Sequence, residues 1–183
     1  MIFKHNMYLF TIAVTLLSAG SVAVEARTVT VAVDAKSGPW STKANSKMKY
    51  GVGDEAPPFI ITGIPVDSVD KVEVYADGVT TVKGKVEVGP VGFEDFEVND
   101  SKARGKYYPS FYTPKLLYPA YQHALVMGFV DDKGVLVSRP FVVGEGVRVP
   151  IPEGATGLAL GFNDVSFKDN SGTLSVTVTI PDQ

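Results

Sequence analysis

From Thr28 onward, apolar and polar positions alternate with period two in short runs separated by turn residues. "TVTVAV" (28–33), "KVEVYA" (71–76) and "VKGKVEV" (82–88) have the alternation of half-buried strands. "ALVMGFV" (124–130) is apolar throughout, as a central strand covered on both faces would be. "VLVSRPFVV", "VRVPI" and "GLALGF" follow at roughly regular spacing, and "TLSVTVTI" (173–180) closes the set. In that last run Leu174, Val176, Val178 and Ile180 share one face, and Thr173, Ser175, Thr177 and Thr179 share the other. No later run has helical periodicity. Many short strands at this spacing predict an all-β sandwich or barrel.

Two segments break the rhythm. Ser41–Pro58 is polar and Lys-rich and ends in "DEAPP", so it reads as a loop insertion. Gly89–Tyr121 is longer and irregular, and carries Tyr107, Tyr108, Phe111, Tyr112, Tyr118 and Tyr121. So many aromatics argue against disorder and for a segment folded back over the sandwich.

The N-terminal pattern is of another kind. Lys4 precedes an apolar run, Met7–Leu17, and small-x-small sites end at Ala23 and Ala26. The run is shorter than the roughly 20 residues of a spanning helix. It predicts a signal peptide over 1–26, one domain over 27–183, and a secreted or periplasmic protein without a membrane span. The chain has 183 residues, enough for one sizeable core. Its net charge is −3, and removing residues 1–26 takes away one base and one acid, Lys4 and Glu25, so the sum is unchanged. With no basic excess to hold phosphates, nucleic acid is not an expected partner. There are no cysteines, which excludes disulfides, thiolate chemistry and a lipid-anchoring cysteine.

Candidate chemistry concentrates in "NDVSFKDNSG" (163–172), which holds two Asp and two Asn just before the last strand. Asn and Asp favour turns because their side chains bond local backbone, so a plain hairpin connection is one reading. The other is a hard-cation site. Asp164 and Asp169 repel unless something positive lies between them, and Asn170 adds an amide oxygen. Ca²⁺ takes about six to eight oxygen ligands, which two carboxylates, an amide and main-chain carbonyls approach. The loop is not an EF-hand, and with only His123 remaining after residue 26 it is not a zinc site.

"LALGFNDVSFKDNSGTLSVTV" resembles the C-terminal signature of the bacterial calcium-dependent galactophilic lectins, the lectin A family. "HALVMGFV" and "TGIPVDSVDKVEVYADG" resemble upstream strands of the same family. The resemblance implies a jelly-roll β-sandwich of the galactose-binding type, with a surface Ca²⁺ that also coordinates sugar hydroxyls. It implies metal ligands at Asp164, Asp169 and Asn170 and through the carbonyls of Val82 and Phe167. Sugar contacts would involve Asp164, Val165, Asp169, Ser110 and Thr113. The loop departs from the family pattern in being shorter, in carrying Asp169 where an amide is usual, and in offering Ser110 and Thr113 near the places of a His and a Gln. His123 is expected to be structural or solvated.

The function expected on these grounds is secreted, calcium-dependent carbohydrate binding, with homo-oligomers raising avidity. The alternative is an envelope structural or interaction domain in which the ion only stiffens the loop. An enzyme is not expected. Glu94, Asp95 and Glu97 cluster, but a solvated charged loop explains them better than a glycosidase pair.

Overall fold

The computed structural model describes residues 27–64, 71–98, 102–103, 106–109 and 120–180. The segment 1–26, read as a signal peptide, and Ser110, Phe111, Tyr112, Thr113 and Tyr118 lie outside the described residues.

The chain is nearly all β, and two antiparallel sheets face each other. The first contains β1 (Arg27–Asp34), β3 (Lys71–Asp77), β4 (Thr80–Val82), β5 (Val86–Val88), β12 (Gly146–Pro150) and β14 (Ser171–Ile180). Its order is β12-β3-β14-β4-β5, with β1 also paired to β14. The second contains β2 (Phe59–Thr62), β10 (Leu125–Val130), β11 (Phe141–Val142) and β13 (Gly157–Phe162), in the order β11-β10-β13-β2. The apolar positions of each alternating strand turn to the same interior. Val33, Val72, Val74, Leu174, Val176 and Val178 of the first sheet meet Leu125, Met127, Phe129, Leu158, Leu160 and Phe162 of the second. Each such side chain, fully buried, stabilises the fold by about 1.5–3 kcal/mol relative to exposure.

β10 and β13 are buried at every position, as their unbroken apolar sequence predicts. Their outer face is covered by the chain itself. At Gly161 a Cβ would collide with the Gly38 carbonyl oxygen, so only glycine lets that crossing strand approach. Asn45 then fastens the cover. Its amide donates to the Ser41 and Gly134 carbonyls, and its Oδ1 accepts from Leu136 N–H at 2.9 Å. Segment 41–58 is thus irregular, as expected, but it is not a free loop. Trp40 and Tyr50 lie in the core at 5.0 Å edge-to-face, and Tyr50 donates to the Trp40 carbonyl.

Three expected elements take another form. "VKGKVEV" is not one strand. Lys83 and Gly84 both have positive φ (53° and 66°) and turn the chain between β4 and β5, which pair as a hairpin. Within "VLVSRPFVV" only Phe141–Val142 is a strand, with one isolated bridge at Leu136, because Pro140 lacks the N–H that a longer ladder needs. The irregular segment 89–121 is bracketed by a ribbon, β6 (Phe93–Val98) paired with β9 (Ala120–Gln122), and contains the short pair β7 (Lys102–Ala103) and β8 (Lys106–Tyr107). Among its aromatics, Tyr108 is buried and Tyr121 half-buried.

Candidate functional site

The loop between β13 and β14 has no ladder partner, so its backbone N–H groups need other acceptors. Two carboxylates supply them. Asp164 Oδ1 accepts from the N–H of Val165 at 2.7 Å and of Ser166 at 3.4 Å. Asp54 Oδ1 accepts from Phe167 N–H, and its Oδ2 from Lys168 N–H, each at 3.2 Å. The Ser166 hydroxyl also donates to Asp54 Oδ2, at 3.3 Å. Four successive amides therefore end on two acids. One of the two acids, Asp164, belongs to the oxygen-rich stretch, and the other, Asp54, comes from outside it.

Asp164 is 2% exposed, and its second oxygen faces inward. Oδ2 lies 3.2 Å from Nδ1 of His123 and accepts from the Asn170 amide at 3.2 Å. His123 is wholly buried, stacks on Phe162 with ring centroids 4.6 Å apart, and adopts φ 63°. A non-glycine residue in that region is strained, and the side-chain contacts hold it there. Its Nε2 lies 2.9 Å from the Thr80 hydroxyl, whose single proton is donated to the Val88 carbonyl at 3.2 Å. Nε2 must then be the donor to Thr80. The Nδ1–Oδ2 contact carries a proton as well, because two facing lone pairs at 3.2 Å would repel. One proton is shared between imidazole and carboxyl, so the partner of Asp164 Oδ2 is built into the fold.

Thr80, His123 and Asp164 thus form a hydroxyl–imidazole–carboxyl chain, yet none is more than 2% exposed and the hydroxyl proton is committed to a backbone carbonyl. The chain of contacts ties β4 and the start of β10 to the distal loop. Glu94 and Asp95 are exposed on β6, in keeping with a solvated acidic strand.

Of the expected calcium ligands, Asp164 and Asn170 are brought into direct contact and Phe167 bonds to Asn170 through the backbone. Asp164 already has four nitrogen partners, the N–H groups of Val165 and Ser166, the Asn170 amide and His123 Nδ1, which occupy its two oxygens. The Asp169 side chain is exposed, and it is its main-chain oxygen that makes the contact, accepting from Gly84 N–H at 3.0 Å. The Phe167 carbonyl accepts from Asn170 N–H, and the Val82 carbonyl from Lys85 N–H, each within its own turn. Phe167 contributes through its ring instead, which is fully buried 5.9 Å from Tyr50. Val165 is half-buried. Among the described residues, no group of three or more His, Cys, Asp or Glu side chains is placed to hold a metal. One atom stands apart. Asn170 Oδ1 is buried without a partner, while its amide faces the Ala35 carbonyl, Asp164 Oδ2 and the Ser166 carbonyl at 3.3, 3.2 and 3.4 Å.

Asp54 is the site residue that sequence reasoning missed. It lies 113 positions before Phe167, and nothing in "GDEAPP" announces a contact with the last loop.

Tyr108 lies close enough to this centre to be governed by it. Its phenol, ordinarily near 10.0, is pushed up to about 12 by burial and secondarily by the negative Asp164. Tyr50 shifts in the same direction, through burial and then Glu55, opposed by its bond to the Trp40 carbonyl. For a group whose folded value is raised, stability is complete below the unfolded value and declines as pH rises toward the folded one. Stability should therefore fall between pH 10 and about 12. Phenolate absorbance from these two residues should appear together with loss of the β circular-dichroism signal, not before it.

A second concave region lies on the outer face of the first sheet. Tyr75, 58% exposed, rests over Gly146, where a Cβ would stand 2.7 Å from the ring. Asp77, Glu145, Ser175 and Thr177 line the same shallow groove.

Neither a family model nor a curated protein matches this sequence. Among the described residues, no helix is long and apolar enough to cross a membrane.

Proposed function

We propose that the chain is an exported, non-catalytic interaction domain whose last inter-strand loop is organised by its own hydrogen bonds, without a cation as a structural requirement. The observation that carries this reading is the saturation of Asp164 by four nitrogen partners, three N–H donors and Nδ1 of His123. Its partners are built in, so a divalent ion would have to displace a buried side chain. Contact with a partner is supported by the exposed Tyr75 groove on the outer sheet face. The two facing sheets support the jelly-roll winding that the sequence resemblance implies.

One observation favours the second reading, calcium-dependent binding of a galactose-type or other glycan. The buried Asn170 Oδ1 has no partner and sits among oxygen-rich surroundings. A small rotation of the loop would offer it to a cation, as the lectin-like signature implies.

Thermal unfolding of the exported chain with calcium and with chelator separates the two. The first reading expects equal midpoints and an empty glycan array in both conditions. A midpoint several degrees higher with calcium, together with chelator-sensitive glycan binding, would establish the second. In that case Asp164→Ala should weaken the ion at least about tenfold, or roughly 1.4 kcal/mol.

A further inference from the structure

β1 lies at an edge. Among the described residues its one ladder partner is β14, and the pairing runs without a bulge through all eight positions from Arg27↔Ile180 to Asp34↔Thr173. The bond from Ala35 N–H to the Gly172 carbonyl extends that register and fixes its phase. Odd-numbered residues of β1 direct their backbone groups toward β14. Thr28, Thr30 and Ala32 direct theirs toward the open side.

Edge strands in monomers are usually guarded by proline, bulges, or charges turned inward. β1 has none of these. "RTVTVAVD" contains no proline and no charge between its two ends. Val29 and Val31, on the core side, are only half-buried, whereas Val33 is fully buried. On the outer side Thr28 and Thr30 bond to Thr179 and Thr177 at 3.2 and 3.0 Å. The edge is therefore unbroken by a bulge, apolar on its inner side, and without a ladder partner among the described residues.

We infer that this edge is an interface for a second copy of the same chain, paired antiparallel about a two-fold axis normal to the sheet. The strand is self-complementary in one register. That axis keeps inner faces on one side, so even residues meet even residues, and these are the residues with free backbone groups. With Val31 on the axis, it faces Val31 of the partner subunit, and Val29 faces Val33 of the partner subunit. The half-buried valines then close a continuous inner ladder. On the outer side Thr28 faces Asp34 of the partner subunit, hydroxyl to carboxylate. The neighbouring register, centred on Thr30, would instead oppose a valine with Arg27, whose guanidinium is already bonded to the Gly63 carbonyl. The first sheet becomes continuous across two molecules. This inference is independent of whether the distal loop takes a cation.

The cysteine-free chain makes the test specific. Across the new ladder Val31 would occupy a non-hydrogen-bonded pair with Cα atoms about 4.5 Å apart, within disulfide reach. Val31→Cys should oxidise to a covalent dimer, and Thr30→Cys should do so at least about tenfold more slowly. Sedimentation of the unmodified chain should give a dimer. Thr30→Pro removes an N–H that points only to the open edge, so it should yield a folded monomer with the native circular-dichroism spectrum. If Thr30→Pro misfolds, Thr28→Pro, nearer the strand end, carries the same comparison. A wild-type monomer throughout the micromolar range would overturn the inference. A dimer that survives the proline variants, or that cross-links through Thr30→Cys rather than Val31→Cys, would do the same.

Discussion

Replacing His123 by alanine should cost the fold about 3–5 kcal/mol, the usual penalty for removing one member of a buried ion pair. The cause is what remains. Asp164 would keep its place at 2% exposure with two backbone amides and the Asn170 amide, but without the imidazole that meets its second oxygen. Thr80 would lose the donor to its hydroxyl oxygen in the same step. Part of the loss is offset by relief of the strained φ at position 123. Urea unfolding measures the total, and a double-mutant cycle with Asp164→Asn isolates the pair. The asparagine cannot carry the charge that needs cancelling, so His123→Ala should cost markedly less in the Asp164→Asn background. Equal costs in both backgrounds would mean that the imidazole acts through packing on Phe162 alone. His123→Gly refines the comparison, because glycine adopts the left-handed conformation freely but restores no charge. It should rescue only the backbone part.

Phe167→Ala should be of similar size, about 3–5 kcal/mol by the cost of emptying a buried aromatic site. The ring is fully buried against Tyr50 and beside Gly51, and it pins the middle of the distal loop to the segment that carries Asp54. Its removal should loosen both carboxylate clamps together. Hydrogen exchange offers a local readout. The amides of Val165 to Lys168, which end on Asp164 and Asp54, should lose protection far more than those of the central strand Leu125–Val130. A uniform loss across both regions would mean that the ring supports the whole sandwich rather than the loop.

The strand pattern was legible because burial on one side of a sheet imposes period two. Leu174, Val176, Val178 and Ile180 are inward, as their alternation required. The hairpin at Lys83–Gly84 was hidden because a lysine in the left-handed region leaves no mark in a hydropathy pattern. The chemistry of the distal loop was half legible. Sequence identifies Asp164 as an acid that would have to share something positive with Asp169. It could not supply the partner, because His123 lies 41 positions away and Asp54 comes from a different segment again. Local spacing favours an ion shared between neighbours, whereas the fold gives Asp164 an imidazole, two adjacent backbone amides and the Asn170 amide. Asp169, equally prominent in the sequence, turns to solvent and is not drawn into the network.

The position of β14 has a consequence for how the molecule is assembled. Among the described residues it is the strand that pairs with β1, β3 and β4, and so joins parts of the sheet that do not otherwise meet. Nearly every pairing it makes spans a large sequence separation, and such contacts close slowly. A chain interrupted before Ser171 would keep the pairings of the second sheet and of β12 with β3, but would leave β1, β3 and β4 unjoined and open to proteases. Resistance to digestion should therefore arrive abruptly, with the last ten residues of this strand, rather than accumulate along the sequence.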